Sequence, residues 1–450
     1  MTILRFDHAL TPDGWERDVA VTVSLEGVIN AVEPNSAFGE RVRGFAIPGL
    51  ANLHSHAFQR AMAGLTEHAG AGDDSFWSWR ELMYRFLGRI SPEDAEMIAA
   101  HAFAQMLEGG FTTVGEFHYL HHAPDGQPYA NLGEMAERHV AAASETGIGM
   151  TLLPVFYAQG NFGAAPPNPG QRRFLNKLDG FGRLFEESRK AIARLPAGRI
   201  GVAPHSLRAV SLPDLQALME GHPSGPVHIH VSEQVKELED CRTVHGTTPI
   251  ALLADHVSLD ARWCLVHATH ASEEEQALML QANLVAGLCP LTEANLGDGI
   301  FATRAHLAAG GRLGVGTDSN IQIDAASELR QLEYAQRLLW RGRNVLAPRY
   351  ASTGRALFDR ALAGGAQALD LPSAGLFPGA QADIVVLDAE HTDLIGREGD
   401  RAIDSWVFVA GKSAIRDVYA GGKQVVVDGR HVAQGRISER YRSCLKRLLA

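Results

Sequence analysis

The hydrophobic pattern divides the chain into stretches of different texture. Residues 1–45 read as short strands between turns: 3–10 precedes a Pro12-Asp13-Gly14 turn, 19–25 alternates, and 28–32 follows Gly27. The far end looks similar, with strand-like runs at 382–388, 406–410, 415–419 and 424–428. Neither set is enough sheet to stand alone. Packed together they predict one small β-sandwich domain built from both termini, 1–46 and 375–450.

The middle, 47–374, alternates short apolar runs with helical patterns. The runs fall at 45–50, 111–114, 149–156, 200–203, 227–230, 263–266, 284–288 and 313–316. Helical segments begin at Pro92, capped by Ser91, and cover 132–146, 181–195, 212–220 and 272–281. Three glutamates opening the last of these suit the positive end of a helix dipole. Eight runs match a (β/α)8 barrel, while a doubly wound open sheet gives the same local pattern.

The polar residues decide between the two. His54 and His56 follow the first run, and side chains two apart in extended backbone face the same side. His230 closes the fifth run, His267 follows the sixth and Asp318 follows the eighth. Barrel enzymes place their chemistry at this end of the strands. The predicted class is therefore α/β: a (β/α)8 TIM-like barrel, residues 47–374, beside the composite β domain.

Composition narrows the functions open to such a chain. With 41 Lys plus Arg against 52 Asp plus Glu the net charge is −11, which argues against a nucleic-acid or anionic-membrane surface. The 4 cysteines are too few and scattered for a disulfide framework. Asp7 and Asp13 stand where an exported chain carries its apolar leader, and no uncharged apolar window is long enough to span a bilayer. A cytoplasmic protein is expected. The glycine-rich phosphate loop of nucleotide enzymes is missing.

Buried histidine and aspartate need partners, and a bland capping or turn role has to be invoked separately for each of these strand ends. Three imidazoles and one carboxylate, His54, His56, His230 and Asp318, suit one divalent ion that also holds water, zinc or alternatively iron(II). A second ion commonly needs a bridging lysine at a strand end. Between Val114 and Val227 the only lysines are Lys177 and Lys190, neither beside a predicted strand. Glu233, three residues after His230, has the reach to shuttle protons between water and a leaving nitrogen. For His267 two roles stay open: binding the metal, or hydrogen-bonding the attacking oxygen or the polarised nitrogen, with the second preferred.

The stretch from Pro48 through His54-Ser-His56, with His230, His267 and Thr317-Asp318-Ser319, resembles the amidohydrolase superfamily over nearly the whole chain. The resemblance implies a barrel of the metal-dependent hydrolase type and the same four metal ligands. His56-Ala-Phe-Gln59, Phe76-Trp-Ser-Trp-Arg80, Glu116-Phe-His-Tyr119 and Pro204-His205-Ser-Leu-Arg208 resemble those members that act on a formimino group. They imply hydrolytic deamination of N-formimino-L-glutamate to N-formyl-L-glutamate and ammonia in histidine degradation, with Glu233, His267 and Asp318 handling protons.

By the same resemblance Arg208 and Arg80 clamp the substrate's carboxylates, since guanidinium offers a bidentate fork. Arg80 has the alternatives of arriving from a partner subunit or bracing its loop. Gln59 and Tyr119 reach the substrate, His205 touches a carboxylate or supports Arg208, and Trp77 and Trp79 wall the pocket. A homodimer is also implied. The rival readings are a guanine-, cytosine- or triazine-type deaminase of the same superfamily, and a non-catalytic interaction module on this fold. Two arginines speak against the first, and an unbroken set of site residues against the second.

Overall fold

The computed structural model describes residues 1–69, 76–372 and 374–450. Strands β1 (Thr2–Thr11), β2 (Gly14–Val23), β3 (Ile29–Glu33) and β4 (Glu40–Pro48) open the chain. The chain then enters the barrel through β5 (Leu50–Ser55), β6 (Phe111–His118), β7 (Gly149–Phe156), β8 (Arg199–Ile200), β9 (Ala203–Pro204) and β10 (Val227–Val231). Strands β11 (Trp263–His267), β12 (Val285–Leu288) and β13 (Arg312–Val315) complete it. Strands β14 (Ile384–Leu387), β15 (Ile415–Ala420), β16 (Lys423–Val427) and β17 (Arg430–His431) return to the first sheet.

All barrel pairings are parallel. Two isolated bridges, Val202 with Val227 and Ser55 with Asp318, join the arcs and close the ring. The fourth run is thus two short pieces, β8 and β9, both paired to β7. Helices cover the outside, as the 3.6-residue pattern predicts. Pro92–Glu108 starts on a capping box in which Ser91 accepts from the Asp94 amide and Asp94 from the Ser91 amide.

The terminal strands form one eight-stranded sheet in the order β17-β16-β15-β14-β4-β1-β2-β3. Alternation along β14 shows how it is held. Ile384 and Val386 join Phe6, Val21 and Ile29 in a small core of the sheet, while Val385 and Leu387 face the main core with Phe45 and Ile47. Each such side chain contributes about 1.5–3 kcal/mol by leaving water.

Two runs depart from the sequence reading. Residues 45–50 are not one barrel strand: Phe45 to Pro48 end β4 in the terminal sheet, and the barrel begins at Leu50 after Gly49. Trp406–Ala410, expected as a strand, is a π-helical turn continuing the helix Asp400–Ser405. Gly399 (φ 61°) and Gly411 (φ 60°) bound this helical stretch. Burial of Trp406 and Val407, with Val409 exposed, follows a helix face rather than a two-residue period. The last helix, Gln434–Leu449, lies against the barrel: Tyr441 stacks on His101 with centroids 3.9 Å apart, and Arg440 pairs with Glu96 and Glu145. Among the described residues no helix is long and apolar enough to cross a membrane.

Candidate active site

Every polar residue singled out at a strand end lies at the C-terminal mouth of the barrel. His54 is on β5 and His56 one residue past it, His230 is on β10, His267 ends β11, and Asp318 follows β13. The chain turns sharply there, with positive φ at Ser232 (51°), His267 (68°), Ala268 (48°) and Asp318 (44°). Left-handed backbone at non-glycine residues costs energy and persists only where surrounding bonds hold it. Asp318 is held by several such bonds. Its amide donates to His54 O (2.9 Å), and its carbonyl accepts from the His56 amide (3.0 Å). Asn320 Nδ2 bonds Ser55 Oγ and the His56 and Asp318 carbonyls, and Asn52 grips Thr317 from below.

His54 Nε2 lies 3.2 Å from His56 Nε2 and 3.0 Å from His230 Nε2, and Asp318 Oδ1 lies 3.5 and 3.2 Å from the first two nitrogens. Nδ1 of His56 and Nδ1 of His230 each donate to a backbone carbonyl, Phe117 O and His205 O, at 3.0 Å. That fixes the proton on Nδ1 and leaves the Nε2 lone pairs pointing at one another. Burial holds His54 down to about 3 and His230 well below its ordinary value, so both are neutral at physiological pH. Although burial pushes it up, the Asp318 carboxyl beside His54 and His56 stays well below the carboxylate range and is ionised. Converging lone pairs beside an ionised carboxylate, all buried, repel unless a cation sits among them. The residues fit a divalent metal with an open position.

Beside this cluster, His267 donates from Nδ1 to Glu293 Oε1 (3.2 Å), and its Nε2 is 3.9 Å from both Glu233 Oε1 and Asp318 Oδ2. Burial alone would lower the imidazole. The Glu293 hydrogen bond, with the Glu233 and Asp318 charges, instead lifts it to about 10. Glu233 Oε2 accepts from Arg208 Nη2 at 3.0 Å, and Arg208 Nε is 3.7 Å from Glu237 Oε1. The second oxygen of Glu237 accepts the Glu233 amide at 2.9 Å. Arg208 is therefore not a free clamp: it lies between two buried carboxylates and holds Glu233 toward the cavity.

All the expected substrate residues, Gln59, Arg80, Tyr119, His205 and Arg208, line one cavity with His56, His230, Glu233, His267 and Asp318, while His54 lies beneath it. Its volume is about 760 Å³ including the open mouth. Gln59 donates to the Tyr119 hydroxyl at 2.9 Å. Burial raises the Tyr119 phenol well above 10, so it stays a neutral donor. His205, buried and beside Arg208, is held well below its ordinary value. The Arg80 guanidinium lies 4.5 Å from the centroid of the Trp77 ring and pairs with no carboxylate among the described residues. Trp77 and Trp79 form part of the wall, as expected, along with Phe76, Tyr84, Tyr157 and Phe174.

Glu237 and Glu293 were not foreseen. Each is an acidic residue early in a helix, Val235–His245 and Pro290–Leu296, where the dipole already accounts for it.

The chain matches the amidohydrolase family over residues 45–425, and it belongs to that family. Over the full length of both chains it is 47% identical to the formimidoylglutamate deiminase of Pseudomonas aeruginosa. The 8-oxoguanine deaminase of the same organism is 27% identical over 88% of this chain and 85% of its own. Among solved structures, an amidohydrolase from Brucella melitensis superposes with a TM-score of 0.96 at 50% identity, covering all of both chains.

Proposed function

We propose that this chain hydrolyses the formimino group of N-formimino-L-glutamate, giving N-formyl-L-glutamate and ammonia, with zinc, or iron(II) in its place, in the His54, His56, His230 and Asp318 site. The carrying observation is the pairing of a complete water-activating ligand set with two guanidiniums in one cavity, in a chain 47% identical end to end to a formimidoylglutamate deiminase.

When bound, such an ion supplies a water that ionises near neutral pH and polarises the amidine nitrogen. The protein's own groups do the rest. Glu233, steadied by Arg208, takes the water's proton and delivers it to the terminal nitrogen, then relays the hydroxyl proton of the tetrahedral carbon to the same nitrogen as the carbonyl forms and ammonia leaves. His267, fixed through Glu293, presents Nε2 to the tetrahedral carbon's oxygen and stabilises its charge. Arg80 meets one substrate carboxylate, and the Arg208 edge not facing Glu233 meets the other. Gln59, Tyr119 and His205 orient the glutamyl chain. The homodimer implied by the family resemblance and the cytoplasmic setting expected from the composition belong to this reading.

Metal-reconstituted protein should release ammonia from N-formimino-L-glutamate with a far higher kcat/KM than from N-formimino-L-aspartate, and none from guanine. Ammonia from guanine alone would replace this reading with ring deamination, for which the aromatic wall gives the specific structural ground. Release of formamide and glutamate would show that the wrong C–N bond had been assigned.

A further inference from the structure

Asp318 presents its two oxygens to different partners. Oδ1 faces His54 and His56, whereas Oδ2 faces His267 Nε2 at 3.9 Å. Strands β11, β12 and β13 are parallel neighbours, so the residues just past their ends converge. The middle one delivers Cys289. Its thiol, the His267 imidazole and the Asp318 carboxylate place one ligand atom each within 4.8 Å of one another, all buried. Glu293 organises the group, since Oε1 accepts the Cys289 amide at 2.8 Å and His267 Nδ1 at 3.2 Å. That bond leaves Nε2 as the nitrogen aimed inward. Cys289 does not line the cavity, although His267 and Asp318 do, so an ion arriving from the cavity meets those two first.

We propose that His267, Cys289 and Asp318 form a second, weaker site for a thiophilic divalent cation, with Asp318 bridging it to the first. Thiolate, imidazole and carboxylate select zinc or cadmium over magnesium or calcium, with water as fourth ligand. On binding, the Cys289 thiol and the His267 Nε2–H each give their proton to solvent as the sulfur–metal and nitrogen–metal bonds form, and nothing is oxidised. Two cations sharing one carboxylate repel each other, so this site fills only after the first. Its occupant takes His267 and the outer Asp318 oxygen out of the reaction. The enzyme is therefore activated by one equivalent of zinc and inhibited by excess. The proposal rests on the first metal site, but stoichiometry and spectroscopy read it whatever substrate is turned over.

Chelated protein is titrated with zinc, and separately with cadmium, following bound metal by elemental analysis, the ultraviolet cadmium–thiolate band, and ammonia release. The expected result is a tight first equivalent without the band and a weaker second one with it. Turnover then falls by about 100-fold as the second site saturates, the scale of losing positioned proton transfer. Cys289→Ser and Cys289→Ala should keep basal turnover, bind one equivalent and resist excess zinc. Uptake of one equivalent only, a second equivalent without the band, or undiminished inhibition in both variants overturns the proposal. Should neither variant fold, the wild-type stoichiometry and band decide it alone.

Discussion

Replacing Arg208 with methionine keeps most of the side chain's apolar stem and removes its charge. The guanidinium stands 3.0 Å from Glu233 and 3.7 Å from Glu237, and the three side chains are 8, 6 and 0% exposed. At an effective dielectric of 20 such separations correspond to about 4–6 kcal/mol per pair before desolvation is counted. Breaking a buried pair by deleting one partner costs about 3–5 kcal/mol, and that is the expected loss of stability near neutral pH.

Glu237 sets how the loss depends on pH. Burial raises its folded pKa above the ordinary carboxylate value, and Arg208 holds that rise back. A carboxyl with a raised folded pKa favours the folded state in acid, and that contribution is lost as pH climbs through the folded value. Without Arg208 the folded pKa is higher still. The variant's penalty is therefore smallest in acid, grows as pH passes the wild-type pKa, and levels off above the variant's own. Urea midpoints of chelated wild type and Arg208→Met between about pH 5 and about pH 8 measure this, with metal loss common to both. Adding Glu237→Gln to Arg208→Met should return part of the loss, because one uncompensated charge goes with it. A penalty that is flat with pH, or below about 1 kcal/mol throughout, would refute the buried triad.

Three further changes separate the roles at the site. Glu233→Gln should bind metal normally and lose about 10²–10⁴-fold in turnover, checked by metal content and kcat on the same sample. Glu293→Gln removes the carboxylate that orients His267 and should cost about 10–100-fold in kcat with little change in KM, measured by steady-state ammonia release. Gly316→Ala should weaken metal retention and destabilise by about 1–3 kcal/mol, because its Cβ would lie 2.8 Å from His54 O and 2.9 Å from His54 Cβ. Chelator competition and urea midpoints test it.

The metal cluster was legible because strand geometry is simple. A two-residue period puts His54 and His56 on one side, and a polar residue ending an apolar run marks the barrel's mouth. What misled was apolar content without periodicity. Trp406-Val-Phe-Val-Ala410 reads as a strand from composition, yet among the described residues no strand pairs with it and its two buried residues are adjacent. The helix Thr353–Ala368 has no counterpart in the sequence reading; within it, Gly364 lets the helix lie against the barrel, because a Cβ there would collide with Leu313 O.

The arginine shows where one-dimensional reading ends. From sequence, Arg208 past the fourth strand is a cation waiting for a carboxylate, and the resemblance supplies one from the substrate. Glu233 and Glu237 are four apart, the spacing that stacks side chains on one helix face, in a run of charges that reads as solvated. In the structure the residues around Glu233 form the turn leading from β10 into the helix, so Glu237 comes back beneath Glu233's own amide and both carboxylates reach the guanidinium. The turn depends on the left-handed backbone at Ser232, a position that no residue pattern announces. Arg208 holds the Glu233 carboxylate in place, and in the proposed mechanism its other edge meets a substrate anion. On the proposed mechanism, binding and proton transfer are coupled through this one side chain, so its removal should lower kcat as well as raise KM. A variant that raised KM alone would leave Arg208 a clamp and nothing more.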